Sequence, residues 1–60
     1  MTYKQALALK PNTVLYVKKS LEKFRVDSID VNEADKAVWV IGFVNGGLEK
    51  RHHTTLQFKK

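Results

Sequence analysis

Eight consecutive residues, Ala37 to Val44, are apolar at every position but Gly42, and Asn45-Gly46-Gly47 follows at once. Asn and Gly tolerate positive φ, so the trio predicts a compact hairpin turn. A β-branched and aromatic run ending in such a turn predicts a strand. Alternate side chains of a strand point to opposite faces. Trp39, Ile41 and Phe43 therefore share one face, and Val38, Val40 and Val44 share the other. A strand in a single curled sheet should be apolar on the core side only, yet both faces here are apolar. The bulkier Trp-Ile-Phe face is the expected core, which leaves the valine face in need of cover. An N-terminal helix carrying Leu7 and Leu9 is one cover. A second copy is the other, because a self-complementary apolar patch favours a homo-oligomer of closed symmetry. Val38, Val40, Val44, Leu7 and Leu9 are thus the candidate interface residues.

The need for cover follows from size. A domain of 60 residues buries only about 60% of its unfolded surface. One domain over residues 1–60 is expected, with no room for an inserted lid or deep cofactor cleft. At 43% hydrophobic and 28% charged residues the composition is globular. Cysteine is absent, which excludes disulfides, thiolate chemistry and cysteine metal sites. The longest unbroken apolar run, Ala37 to Ile41, is far below the roughly 20 residues of a spanning helix. Residues 1–10 are too short and interrupted in their apolar part for a secretory leader. The expected location is intracellular.

Elsewhere the chain alternates short β signals with turns. Thr2 and Gln5 have capping-box spacing, and Pro11 ends what they start. A short helix over 3–9, within a segment 1–10, is expected, with Tyr3, Ala6, Leu7 and Leu9 on its docking stripe. Thr13 to Lys18 predicts a strand and Lys19 to Lys23 a polar loop. Phe24 and Val26 are apolar at even positions, but Ile29 and Val31 at odd ones. A strand that changes phase needs a bulge, here near Asp27-Ser28. Asn32 to Asp35 predicts a hairpin loop and Leu48 to His53 a polar strand. Thr54-Thr55 predicts a break, and Leu56-Gln57-Phe58 a last short strand.

One short helix and four or five strands at hairpin spacing predict a mainly β fold: a small barrel or curled antiparallel sheet. Over residues 13–58 this layout resembles the SH3-like small-barrel superfold of Tudor, KOW and Sm-like modules. The resemblance is carried by Val14-Leu15-Tyr16-Val17, by Val26-Asp27-Ser28-Ile29-Asp30, and by Val38 through Gly47. It implies a fold, and fold does not fix function.

No residue pattern points to catalysis. His52 and His53, neighbours on a strand, point to opposite faces and cannot share a metal. Asp30 to Asp35 fails the calcium-loop pattern, with Ala34 at its fifth position and Asp35 where glycine is needed. The serines sit in no nucleophile elbow, and Asn45 to Leu48 lacks the helix of a phosphate loop. A non-enzymatic protein without metal or cofactor is expected.

Charge is more informative. Asp27, Asp30, Glu33 and Asp35 against the single base Lys36 leave residues 27–36 at −3 and the remainder at +8, within a net charge of +5. Lys18, Lys19, Lys23 and Arg25 flank the first long loop, while Lys50, Arg51, Lys59 and Lys60 mark the C-terminal strands. Should the first and last strands be neighbours, as barrel closure requires, these groups approach and form a basic surface for phosphates. Tyr16 or Phe24 would then be a stacking platform. The leading expectation is a nucleic-acid-binding module with little sequence specificity, using Lys18, Lys19, Lys23, Arg25, Lys50, Arg51 and Tyr16. The alternatives are a protein-interaction or homo-oligomeric assembly module, and an accessory protein of a virus or mobile element.

Overall fold

A computed structural model describes all of residues 1–60. Thr2 caps a single-turn helix α1 (Tyr3–Leu7): its hydroxyl accepts from the Gln5 backbone N–H at 3.1 Å, and the Gln5 side chain accepts from the Thr2 N–H at 2.9 Å. Five strands follow: β1 (Val14–Val17), β2 (Lys23–Asn32), β3 (Ala37–Val44), β4 (Gly47–His52) and β5 (Leu56–Gln57). They form one antiparallel, curled but unclosed sheet in the order β4-β3-β2-β1-β5. A 3-10 turn, His53–Thr55, carries the chain from β4 at one edge to β5 at the other. No helix is long and apolar enough to cross a membrane.

The phase change in β2 is resolved by a bulge. Val26 pairs with Gly42 and Ser28 with Ile41, so Asp27 is the extra residue. Phe24 and Val26 before it, and Ile29 after it, then all turn towards the core.

The faces of β3 are opposite to the sequence expectation. Val38, Val40 and Val44 are buried, whereas Trp39 is 38% exposed and Ile41 and Phe43 are half-buried on the outside. The reason lies at Gly42, which shares the valine face. A Cβ there would overlap the Arg25 carbonyl oxygen and the Phe24 ring. The core's bulk is supplied by Phe24, Leu15 and Leu56 from other strands, and the valines and glycine form a low floor beneath them. An interior that small has no room for a tryptophan on the same floor. The valine face is therefore closed within one chain. The N-terminal segment does cover it, but through Ala6, fully buried, and the half-buried Tyr3 of the helix, with Leu9 just beyond the helix end also packed on the core. Leu7 points away and is 42% exposed.

His53 closes the end of β3 that β4 leaves unpaired. The last β3–β4 pair is Trp39 with His52, so Val38 has no β4 residue opposite it. The Val38 N–H donates instead to His53 Nδ1 at 3.1 Å, in a buried position. The imidazole takes the place of a strand carbonyl and satisfies the buried Val38 N–H. That bond needs the neutral ring. Burial first, then the neighbouring His52, holds the His53 pKa below its ordinary value. The Met1 amino group, which donates to the His53 and Leu56 carbonyls, adds to the same effect.

Two expectations follow. Gly42→Ala should destabilise by about 2–3 kcal/mol, the scale of overpacking against unyielding neighbours, read as a lower denaturation midpoint in urea. Because the folded-state pKa of His53 is lowered, its stabilising contribution is present above the unfolded value of about 6.5 and is lost as pH falls towards the folded value. Urea midpoints should thus drop between pH 7.5 and pH 5. His53→Gln, whose amide oxygen can still accept from Val38, should flatten that part of the profile.

Candidate functional site

Cross-strand register determines which side chains meet on the outer face. Outward positions of β3 pair with outward positions of β2 and β4: Phe43 with Arg25 and Leu48, Ile41 with Ser28 and Lys50, Trp39 with Asp30 and His52. On the β1 side, Tyr16 pairs with Lys23 of β2 and Gln57 of β5. The result is a line of outward apolar and aromatic side chains along β3, with cations on both sides.

At one end the cations and aromatics touch. The Arg25 guanidinium carbon lies 5.2 Å from the centre of the Phe43 ring, and Lys60 Nζ lies 5.6 Å from that of Tyr16. Lys23, Arg25, Phe43, Asn45 and Gly46 line a shallow open depression here. Its floor is shaped by the β3–β4 hairpin, a two-residue turn in which both Asn45 (φ 52°) and Gly46 (φ 81°) are left-handed. Glu22 sits on the rim, where it accepts from the Asn45 side-chain amide and from the Ser20 hydroxyl. At the other end Lys50 Nζ is 5.8 Å from the Trp39 ring centre, and the His52 ring stands edge-on to Trp39 at 5.1 Å. Lys50 is also 3.3 Å from the Asp30 carboxylate. This exposed pair is worth at most about 1 kcal/mol.

The basic residues named from sequence are thus divided. β1 and β5 are neighbours, so Lys60 reaches Tyr16 and stands on the same side as Lys23 and Arg25. Lys18 and Lys19 lie in the exposed turn after β1. Lys50 and Arg51 belong to β4, at the far edge of the sheet, and as strand neighbours they face opposite ways. Lys50 is on the outer face. Arg51 turns to the core margin, where it bonds Glu49 at 2.8 Å and leaves its Nε buried without a partner. Its alkyl stem and that ion pair cover the open side of the core, so Arg51 is removed from the outer surface. Phe24 is removed from the stacking candidates because it is fully buried.

Trp39 and Phe43 are surface groups that sequence reasoning assigned to the core. The even-numbered position of Gly42 was the available signal: a residue without a side chain on the valine face marks where another element approaches closely. The two histidines also differ from expectation. His53 begins the 3-10 turn rather than continuing β4, and its ring lies 4.5 Å from that of His52. Their Nδ1 atoms are engaged separately, His53 by Val38 and His52 by the Thr54 N–H. No group of three or more His, Asp or Glu side chains gathers as a metal site. The Asp30–Asp35 segment is the end of β2 running into a hairpin turn, where the Asn32 amide donates to Asp35 and its oxygen accepts from the Asp35 N–H.

Compared with protein-family models, with curated proteins and with solved structures, the chain matches none.

Gly46 has open space around it, so only its backbone resists a side chain. Gly46→Ala should destabilise by roughly 1 kcal/mol, the scale of a left-handed conformation for an L-residue, as measured by urea denaturation.

Proposed function

We propose that this protein is a non-enzymatic, basic nucleic-acid-binding module that contacts phosphates with little sequence specificity. The observation that carries the reading is the joining of Lys23, Arg25 and Lys60 with Tyr16 and Phe43 on one solvent-facing side of the sheet. Neighbouring cations attract a polyanion by counterion release, and the aromatic rings beside them offer stacking surfaces. The acidic hairpin is displaced along β2 from this end, so it does not cancel the local positive potential and instead orients the molecule. An SH3-like small barrel is the fold reading favoured by the pairing of β1 with β5. An assembly role is less well supported, because the valine face that motivated it is occupied by the protein's own core.

The test is a titration of a mixed-sequence oligonucleotide at two or more salt concentrations. Binding at low salt with a steep decline in log K against log salt is expected, and no binding at low salt removes the proposal. Lys23→Ala and Arg25→Ala should each reduce the slope by about 1. Lys36→Ala, on the acidic hairpin, should change it little. Asp30→Asn should strengthen binding by releasing Lys50.

A further inference from the structure

From the outward β3 face we infer that the ligand is a single strand, whose bases stack along Trp39 and Phe43 while its phosphates follow Lys23, Arg25 and Lys60. The inference rests on the nucleic-acid reading above and narrows it to one class of ligand and one path.

Three features carry it. The first is the unusual composition of the face. Trp39, Ile41, Phe43 and Leu48 stand outward on adjoining strands, with Leu48 61% exposed. A duplex offers a protein surface its phosphates and groove edges, with its bases stacked inside. Laying it on this face would desolvate charges against apolar side chains. An unpaired strand offers the flat faces of its bases, which are apolar and stack on aromatic rings.

The second is spacing. Along a strand rising about 3.3 Å per residue, Trp39 and Phe43 stand about 13 Å apart, with Ile41 midway at about 6.6 Å from each. Two platforms separated by an apolar step suit splayed bases of an extended chain and not the 3.4 Å stack of a helix. The principal extents of the protein, 31 × 18 × 15 Å, limit the footprint to on the order of four nucleotides, the low end for a small β module.

The third is the asymmetry of charge across β3. On the β2 side near Phe43 the cations Lys23 and Arg25 are free of carboxylate partners. Near Trp39 the cation Lys50 is tied to Asp30, which disfavours a phosphate there. The backbone therefore runs on the β1–β2 side, and the bases lie over β3. At the Phe43 platform the Arg25 guanidinium lies over the ring, and either group is a stacking surface for a base. At Trp39 the His52 ring stands perpendicular to the indole and the flexible Lys50 side chain lies over it, so a base that stacks there displaces Lys50.

Trp39 is the protein's single tryptophan, so its emission reports on the proposed platform directly. The experiment titrates the intact chain with a 12-nucleotide oligo-dT, with oligo-rU of the same length, and with a 12-base-pair dA·dT duplex at equal salt. The expected result is quenching of Trp39 by the single strands, with affinity at least tenfold above that for the duplex. Phe43→Ala should lower single-strand affinity about tenfold, within the range of one lost stacking contact. Trp39→Phe should retain most of the binding and Trp39→Leu should lose it. Both sites are on the surface, and circular dichroism confirms folding of each variant. Equal binding of duplex and single strand without quenching overturns the inference and leaves the nucleic-acid reading standing. No binding of any of the three at low salt overturns both. An emission change that follows protein concentration alone, with a doubled mass by light scattering, assigns the face to a second copy and overturns the inference.

Discussion

The close approach of β2 to β3 at Gly42 is the contact on which the remaining structure depends. There the Phe24 ring and the Arg25 carbonyl occupy the space that any side chain at residue 42 would need. Two residues after Arg25 on β2, the bulge at Asp27 rotates the strand and turns Ile29 inward. Bulges increase local twist and bend. A tight crossing followed by a bend lets a single sheet fold over its own valines. A flat sheet of the same strands would leave Val38, Val40 and Val44 in water and would have no interior for Phe24, Leu15 and Leu56.

This curling leaves the sheet open, and the open side is closed by means other than strand pairing. His53 supplies an acceptor to Val38 where β4 has ended. The Glu49–Arg51 pair covers the adjacent margin, and α1 places Ala6 over the valine floor. Each device is short and local, as befits a chain whose core consists of a handful of fully buried side chains. The use of a titratable ring for a structural hydrogen bond makes the seam sensitive to acid. The closure and its pH response are thus one feature.

The same geometry sends the largest side chains of β3 outward. Burial of the small residues and exposure of the large ones is unfavourable for transfer of apolar surface alone, but the narrow interior leaves no alternative packing. The outward rings are partly compensated by their neighbours: Arg25 lies over Phe43, and Lys50 and His52 lie against Trp39. Cation–ring contacts of this kind contribute up to about 1 kcal/mol at exposed sites. They also keep the rings in place on a surface able to receive a planar ligand.

Much of the architecture was determined by local sequence. The Thr2–Gln5 box starts the helix, Asn45-Gly46 has the positive φ values of a two-residue turn, and the parity shift between Val26 and Ile29 locates the bulge within a residue or two. These are short-range constraints, set by backbone sterics and by alternation along a strand, and they are readable without knowing what lies opposite. The inner face of β3 was decided only by tertiary structure. Periodicity separates Trp39, Ile41 and Phe43 from Val38, Val40 and Val44, but it does not rank two apolar faces. That ranking came from the volume left beneath Phe24, a residue far away in the chain. The fate of the basic residues was decided in the same way. Their charge is a property of composition, but whether Lys23 joins Arg25, or Arg51 turns inward to Glu49, depends on strand order and register, which arise from long-range pairing.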